Sequence, residues 1–229
     1  MTNTDIKKTE RAPMSSLRKT SLVAGVFYLL TFVSIPTLGL YSSVRSPNYI
    51  LGPGPDTPVI LGSILEMIVA LAGMGTAIAL YPVLKRQNEG FALGFVGSRI
   101  LEAATIYSGI VCLLSVVTLR QTGAGAGALS TGQALTAQYY WTFLFGQGFI
   151  PAVNAVLLGS LLYQSRLVPR ALPVLGFFGA TLLVASWTGI LFGLQEQVST
   201  TSALFALPIA LWEFSLGIYL VVKGFNFAC

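Results

Sequence analysis

Histidine is missing from this chain of 229 residues, and charged residues make up only 9% of it. Without histidine, the usual haem ligand, the zinc sites that need histidine and the hydrolases that rely on a histidine base are all excluded. The H-E-x-x-H and Walker A motifs are missing too. Any catalysis would have to be acid–base chemistry by carboxyl groups, and we expect neither a metal nor another cofactor.

Cysteine is scarce as well. Cys112 lies inside an apolar segment, and Cys229 is the last residue. The two are far apart in the predicted topology, so we expect no disulfide, and their spacing fits no metal site. No lysine lies in the interior of an apolar segment, which argues against a retinal-type Schiff base.

Apolar residues dominate the composition. They make up 54% of the chain, whose mean hydropathy is +0.77. A soluble domain carries roughly 25% charged residues, so the solvent for most of this chain must be lipid. The formal charge of +5 comes from basic residues in short loops, a pattern typical of membrane topology signals. We therefore expect membrane lipids as partners, and no nucleic acid.

Six apolar runs predict an all-α, multi-pass bundle over residues 20–225. Each reaches the ~20 residues that cross a bilayer. The predicted spans are 20–42, 57–84, 91–119, 135–163, 170–194 and 203–223.

The polar residues 1–19 precede the first span and are expected to be a disordered tail. A signal peptide is the alternative for this region, because basic residues precede an apolar run. That run, Ser21 to Leu40, exceeds the about 7–15 residues of a signal-peptide core and shows no clear cleavage site, so we favour a retained helix.

The distribution of Lys and Arg predicts the orientation of the bundle. Ten of these residues fall in the tail, in two loops and at the end of the last span, all on one side of the predicted membrane. The opposite loops hold only Arg45 and Arg120. By the positive-inside rule, both termini lie in the cytoplasm.

Four charged residues lie inside the predicted spans: Glu66, Arg99, Glu102 and Glu213. A charge at mid-bilayer costs about 3 kcal/mol on insertion scales, so such residues face the bundle interior and mark candidate functional sites. Counted along each helix from the predicted cytoplasmic boundary, Glu102, Asn154 and Glu213 lie at a depth of roughly 15–16 Å and Arg99 at roughly 12 Å. Glu66 lies roughly 27 Å deep, near the outer face.

Arg99 and Glu102 are three positions apart on one helix, so we expect them to pair. Glu213 then has no cation nearby in the sequence, and even if Arg99 serves both acids, one carboxylate is in excess. We expect an unpaired carboxyl buried in low dielectric to stay protonated, so that it can donate a hydrogen bond or a proton. Trp212 adjoins Glu213 and predicts an aromatic wall for an apolar ligand or a cation.

Three functions remain open at this point. The first is binding or transport of a small apolar, amphipathic or cationic molecule, to which proton movement could be coupled. Its pocket would be formed by Glu213, Glu102, Arg99 and Asn154, with Glu66 at the entrance. The second is an intramembrane enzyme acting on an isoprenoid or other lipid, with Glu213 as the catalytic acid. The third is a regulatory subunit whose polar residues only hold helices together. The sequence leaves the oligomeric state open.

Five segments carry a resemblance to a known family. They are LRKTSLVAGVFYLLTFVSIP (17–36), NYILGPGPDT (48–57), PVLKRQNEGFALGFVGSRILEA (82–103), SRLVPRALPVLG (165–176) and LPIALWEFSLGIYLVVKGF (207–225). In these segments the chain resembles a bacterial family of six-span membrane proteins known as domain of unknown function 4386. The resemblance implies a six-helix bundle in a bacterial inner membrane. It also implies acids at Glu66, Glu102 and Glu213 and an arginine at Arg99, without assigning them roles.

Overall fold

A computed structural model describes residues 16–46, 48–52 and 54–226. Our expectations for residues 1–15 and for Cys229 lie outside this part of the chain. Throughout the described residues the regular structure is helical, without strands, so the predicted all-α class is confirmed.

The described residues form eight α-helices and three short 3₁₀ turns. The α-helices are α1 Ser16–Leu30, α2 Thr37–Leu40, α3 Thr57–Leu84, α4 Glu89–Gln121, α5 Leu129–Gly146, α6 Ile150–Ser165, α7 Ala171–Leu191 and α8 Thr200–Val222. The 3₁₀ turns are Thr31–Ser34, Tyr49–Leu51 and Gly125–Ala128.

Six helical segments of the described chain are long and apolar enough to cross a membrane, which confirms the predicted number of spans. They are Ser16–Leu40, Thr57–Leu84, Glu89–Gln121, Gly125–Ser165, Ala171–Leu191 and Thr200–Val222. The first segment combines α1 and α2, and the fourth combines α5 and α6. The chain is therefore a multi-pass membrane protein in which two of the segments are interrupted.

The first and fourth segments begin earlier than the predicted spans 20–42 and 135–163. Helix α1 already starts at Ser16, within the stretch that the sequence assigned to the tail. The fourth segment has 41 residues, which would make a straight helix of roughly 62 Å, longer than a whole bilayer of about 45 Å with its headgroups. A break after Gly146 and an extension beyond the predicted span accommodate this length.

The six segments form a ring in chain order. Helix α3 packs against α4, α4 against α5 and α6, α6 against α7, α7 against α8, α8 against α1, and α1 against α3. The third and sixth segments, α4 and α8, therefore stand on opposite sides of the ring, with an interior space between them. We call the end of the bundle that holds residues 16 and 226 the termini face and the opposite end the loop face.

Small residues let neighbouring helices approach closely. A Cβ atom on Gly25 of α1 would lie 2.7 Å from the carbonyl oxygen of Gly217 on α8. A Cβ atom on Gly179 of α7 would lie 2.6 Å from the backbone nitrogen of Ile209 on α8. Because helices in lipid gain little from burying apolar surface, such close backbone packing is a main source of their association.

Arg18 joins the first segment to the last at the termini face. Its guanidinium donates to the carbonyl oxygens of Leu220 at 2.9 Å, of Val222 at 3.3 Å and, over a shorter distance, of Val221. The last carbonyl groups of a helix have no partner within it. Arg18 therefore caps the C-terminus of α8, where a cation also favours the helix dipole.

The largest apolar cluster fills the half of the bundle next to the termini face. Its members come from all six segments and include Leu84, Phe95, Leu158, Leu162, Leu216 and Leu220. At most 1% of the surface of each is exposed. This half of the ring is therefore densely filled.

The loop between α2 and α3 folds back onto the ends of α4 and α5. The Tyr49 hydroxyl donates to an Asp56 oxygen at 2.6 Å, and Arg120 of α4 donates to the same oxygen at 3.0 Å. The Arg120 guanidinium also lies 4.6 Å from the centre of the Tyr49 ring. Ile50 is buried against Gly132 of α5. This loop is thus fastened to the loop face by an ion pair and an apolar contact.

Candidate functional site in the bundle interior

One guanidinium serves two carboxylates in the centre of the ring. Arg99 donates from Nη1 to Oε2 of Glu102 at 2.9 Å and from Nη2 to Oε1 of Glu213 at 2.7 Å. The expected pair of Arg99 and Glu102 along α4 is confirmed. Since α4 and α8 stand on opposite sides of the ring, the bond from Arg99 to Glu213 spans its interior.

Burial makes this cluster costly to leave unpaired. The side chain of Arg99 is 3% exposed, that of Glu102 11% and that of Glu213 15%. A charge held away from water requires partners with good geometry, and removing one partner leaves the other uncompensated. Glu213 keeps the greatest access to its surroundings, so it is the member of the cluster that a ligand reaches most easily.

Asn154 of α6 joins the same cluster, at the depth that the sequence predicts. It is fully buried, and its Nδ2 donates to Oε2 of Glu102 at 2.8 Å. The Glu102 oxygen thus accepts from an arginine and from an amide on two different helices. The Glu102 carboxylate thereby links α4 to α6, and the bond from Arg99 to Glu213 links α4 to α8.

Tyr28 of α1 is a member of the cluster that the sequence reasoning missed. Arg99 Nη2 donates to its hydroxyl at 3.4 Å, and the guanidinium lies 5.5 Å from the centre of its ring. The ring of Phe95 lies 5.7 Å from the guanidinium. A tyrosine in an apolar span carries no signal of direction around the helix axis that would have distinguished it from a lipid-facing aromatic residue.

A cavity of about 230 Å³ adjoins this cluster. We call it the central cavity. Arg99, Glu102 and Glu213 form part of its wall, and most of the remaining wall is apolar. Its apolar lining includes Phe32, Ile35, Val69, Ile106, Leu183 and Ile209.

Both interruptions of the membrane segments border the central cavity. The 3₁₀ turn Thr31–Ser34 supplies wall residues on one side, and Gln147 and Pro151, at the break between α5 and α6, supply them on another. Irregular backbone at membrane depth is tolerated only where protein or a water-filled cavity surrounds it. Interrupted helices around a central pocket are also typical of substrate sites in transporters.

Trp212 does not reach the central cavity. It is fully buried and packs against Gly176 of α7, where a Cβ atom would lie 2.7 Å from the indole ring. Successive residues of an α-helix point about 100° apart, so Trp212 and its neighbour Glu213 face different neighbours. The predicted aromatic wall beside Glu213 is therefore corrected: Phe32, not Trp212, is the aromatic residue that lines the cavity near α8.

Glu66 forms a separate polar site closer to the loop face. It is only 1% exposed, and its Oε1 accepts from the hydroxyl of Tyr139 at 3.5 Å and from the amide of Gln147 at 3.4 Å. Glu66 itself does not line the central cavity, whereas Gln147 does. Gln147 thus connects the outer carboxyl group to the cavity, a role that its position in the sequence did not indicate.

Among the residues that the structure describes, no three Cys, Asp or Glu side chains come together in an arrangement that could hold a metal ion. A hard cation such as Mg²⁺ or Ca²⁺ takes six or more oxygen ligands. Oε2 of Glu102 and Oε1 of Glu213 already accept from Arg99, which leaves fewer oxygens for such an ion.

Fold and site together define a class: a multi-pass helical membrane protein whose ring of six segments encloses an arginine shared by two glutamates. The model of the family described as Domain of unknown function (DUF4386) matches residues 23–224. The chain belongs to this family, and the resemblance found in its sequence is confirmed. No curated protein and no solved structure gives a match.

Proposed function

We propose that this chain binds a small amphipathic cation in the central cavity and carries it across the cytoplasmic membrane of a bacterium. One observation carries the proposal: two carboxylates share a single guanidinium on the wall of a mostly apolar cavity. If both carboxyl groups are ionised, the cluster has one negative charge in excess. A cationic ligand supplies the missing positive charge.

The residues that line the cavity, and its volume, indicate the polarity and the size of the ligand. Its apolar side chains favour a ligand with a hydrocarbon part, and Phe32 offers a ring face to a cation. A volume of about 230 Å³ lies just below the ~300–1,000 Å³ of pockets for drug-sized ligands. The ligand is therefore smaller than a typical drug molecule.

The excess negative charge also couples binding to protons. Either a proton or a cationic ligand neutralises it, so the two compete for the same carboxylates. A carrier built in this way exchanges its cation for protons. Positive loop charges support an orientation with the termini face, and therefore both termini, in the cytoplasm.

Two observations speak against the alternative of an acid-catalysed lipid enzyme. Glu213 accepts a hydrogen bond from Arg99, whereas a general acid must hold a proton that it can give away. Trp212, the aromatic residue predicted beside Glu213, packs against α7 and does not line the cavity, where it could have stabilised a cationic intermediate. We therefore do not adopt this alternative.

The test uses benzyltrimethylammonium, a permanent cation of suitable size, and its uncharged isostere neopentylbenzene, with the protein in lipid nanodiscs. We expect the cation to bind and the isostere not to. Glu213→Gln and Glu102→Gln should each weaken binding at least about tenfold, because each removes a negative charge beside the cation and close charge pairs couple by about 1.5–7 kcal/mol.

Glu89→Gln is the matched control, since Glu89 is exposed at the start of α4, away from the cavity. It makes the same change of charge and should leave binding unchanged. The affinity of wild type should fall as the pH falls, and because the probe does not titrate, this dependence belongs to the protein. No binding of the cation, or equal binding by wild type and both site variants, overturns the proposal and leaves a purely structural or regulatory role.

A further inference from the structure

Two further cavities lie between the central cavity and the loop face. The one closer to the loop face, which we call the vestibule, has a volume of about 730 Å³ and is bordered by α5 and by the connection between α7 and α8. The other, which we call the neck, has a volume of about 210 Å³. Together with the central cavity they form a row along α5, α7 and α8.

Shared wall residues connect the row. Phe143, Ile190, Gln197 and Val198 line both the vestibule and the neck. Gln147, Leu183 and Ala206 line both the neck and the central cavity. Each cavity is therefore separated from the next by no more than the thickness of a side chain.

We propose that the cation of the proposed function reaches the central cavity from the loop face through this row, and that the vestibule is its first binding site. The inference rests on the proposed function and adds to it a route, a direction and a second site. Rotation of a few side chains in the neck opens the route, whereas passage from the termini face requires helices to separate.

The termini face is closed by contrast. The apolar cluster lies between Glu213 and that face, and its members Phe95, Leu216 and Leu220 have at most 1% of their surface exposed. A cavity that does lie near the termini face, beside Tyr219 and Lys223, shares no wall residue with the row. The described arrangement thus corresponds to one state of a carrier, in which the site communicates with the loop face alone.

Aromatic rings line all three cavities of the row and can bind an organic cation. Tyr139, Tyr140 and Phe143 line the vestibule, Trp187 lines the neck, and Phe32 lines the central cavity. A cation within about 6 Å of a ring centre is attracted to the ring face, most strongly to tryptophan. An organic ammonium group can therefore exchange one ring for the next without first recovering a full hydration shell.

The vestibule also offers a carboxylate. Glu196 is exposed in its wall and forms no ion pair with any described residue. Arg45 lines the vestibule too, but it lies within electrostatic range of the buried Glu66 carboxyl. Glu196 is therefore the charge that first meets an arriving cation.

The neck contains two buried hydrogen-bond donors that have no acceptor in the described part of the chain. Trp187 Nε1 and Gln197 Nε2 have no hydrogen-bond partner among the described residues. Buried polar groups are almost always satisfied by protein or by water. The wall of the neck is mostly apolar, and these two donors are the points at which it can bind water or an oxygen atom of the ligand.

The first test of the route does not depend on the identity of the ligand. A single cysteine is introduced by Ala206→Cys, in a chain with Cys112→Ala and Cys229→Ser, and is exposed in vesicles to a membrane-impermeant methanethiosulfonate that carries a trimethylammonium group. We expect modification from the loop face to be faster than from the termini face, which a carrier reaches only in its other state. Leu211→Cys, on the exposed side of α8, is the control and should not react from either face.

Ala203→Trp then fills the neck, because Ala203 lines the neck and not the central cavity. It should slow the modification of the introduced cysteine several-fold. Val198→Trp changes an exposed loop position that lines the vestibule and the neck. It should also slow the modification, and it serves as the test if Ala203→Trp does not fold. Modification that neither variant slows, or that is faster from the termini face than from the loop face, overturns the route.

Binding kinetics separate this inference from the proposed function. With benzyltrimethylammonium as the probe, Ala203→Trp should slow association and dissociation by the same factor and leave Kd unchanged, because a route affects rates and not equilibrium. Glu196→Gln removes a charge of the route and not of the central cavity, so it should also slow both rates and leave Kd unchanged. Unchanged rates in both variants would overturn the route but leave the central binding site in place. A wild-type protein that binds no cation would overturn the proposed function but leave the labelling result valid.

Discussion

Arg99 and Glu213 lie 114 positions apart in the sequence, and their side chains meet at 2.7 Å in the interior of the bundle. The two residues belong to α4 and α8, on opposite sides of the ring. This contact crosses the space that the six segments enclose. It therefore links the packing of the bundle to the charge of the candidate site.

Replacing Arg99 should strongly destabilise the protein. Arg99→Met removes the cation and leaves Glu102 and Glu213 buried without it. Breaking a buried pair by removing one partner costs about 3–5 kcal/mol. Thermal unfolding in detergent micelles should therefore begin at a clearly lower temperature than in wild type.

A triple variant distinguishes charge from shape in this experiment. Arg99→Met combined with Glu102→Gln and Glu213→Gln removes the whole cluster of charges at nearly constant volume. Its stability should return close to that of wild type, because replacing a complete buried ion pair is often neutral. A triple variant as unstable as Arg99→Met would show that the loss is one of packing and not of charge.

Gly179 on α7 should not tolerate a methyl group. The Cβ atom of Gly179→Ala would lie 2.6 Å from the backbone nitrogen of Ile209, and backbone cannot rotate away as a side chain can. Overpacking of this kind costs about 1–3 kcal/mol. The melting temperature should fall, and the separation of α7 and α8 should increase between spin labels on these helices.

Gly97 is the matched control for Gly179. It lies within α4, it is exposed, and a Cβ atom there would have no neighbour within 4 Å. Gly97→Ala should raise stability slightly, since alanine is favoured over glycine within a helix by about 1 kcal/mol. Equal losses in the two variants would contradict the close packing of α7 on α8.

Glu66 should act as an acceptor for two donors. Glu66→Leu leaves the Tyr139 hydroxyl and the Gln147 amide without this partner. Unsatisfied buried donors cost about 1–3 kcal/mol each, and because both bonds are long, at 3.5 and 3.4 Å, we expect the lower end of this range. Glu66→Gln keeps an acceptor oxygen and should lose less stability in the same unfolding assay. A larger loss for glutamine than for leucine would rule out the acceptor role.

The loop at Tyr49 should respond to high pH. Burial and the hydrogen bond to Asp56 raise the pKa of Tyr49 from the ordinary 10.0 to about 12. The fold therefore favours the neutral phenol, and the stability that this provides is present below pH 10 and is lost as the pH rises from about 10 to about 12. Spectrophotometric titration of wild type minus Tyr49→Phe should show one phenol that ionises near pH 12. A difference that ionises near pH 10 would contradict this environment.

Depth in the membrane could be predicted from the sequence because the rise of an α-helix per residue is constant. Counting along the spans placed Arg99, Glu102, Asn154 and Glu213 in one layer, and the structure joins them by hydrogen bonds of 2.7–2.9 Å. The pair of Arg99 and Glu102 followed from their spacing of three residues. No packing information was needed for these predictions.

Direction around the helix axis could not be predicted in the same way. Trp212 and Glu213 are adjacent in sequence, yet one packs against α7 and the other lines the central cavity. Helices that are apolar on all sides carry little periodic signal of which side faces the interior. For the same reason neither Tyr28 nor Gln147 was assigned to the site.

The amino-acid sequence alone thus determined the class of protein, the number of its spans and the common layer of Arg99, Glu102, Asn154 and Glu213, because these depend on apolar length and helical rise. Only the tertiary structure decided that Arg99 serves both Glu102 and Glu213 and that Gln147 connects Glu66 to the central cavity. These relationships depend on how each helix is rotated against its neighbours. That rotation follows from close contacts such as those at Gly25 and Gly179, which form only when distant segments of the chain pack together.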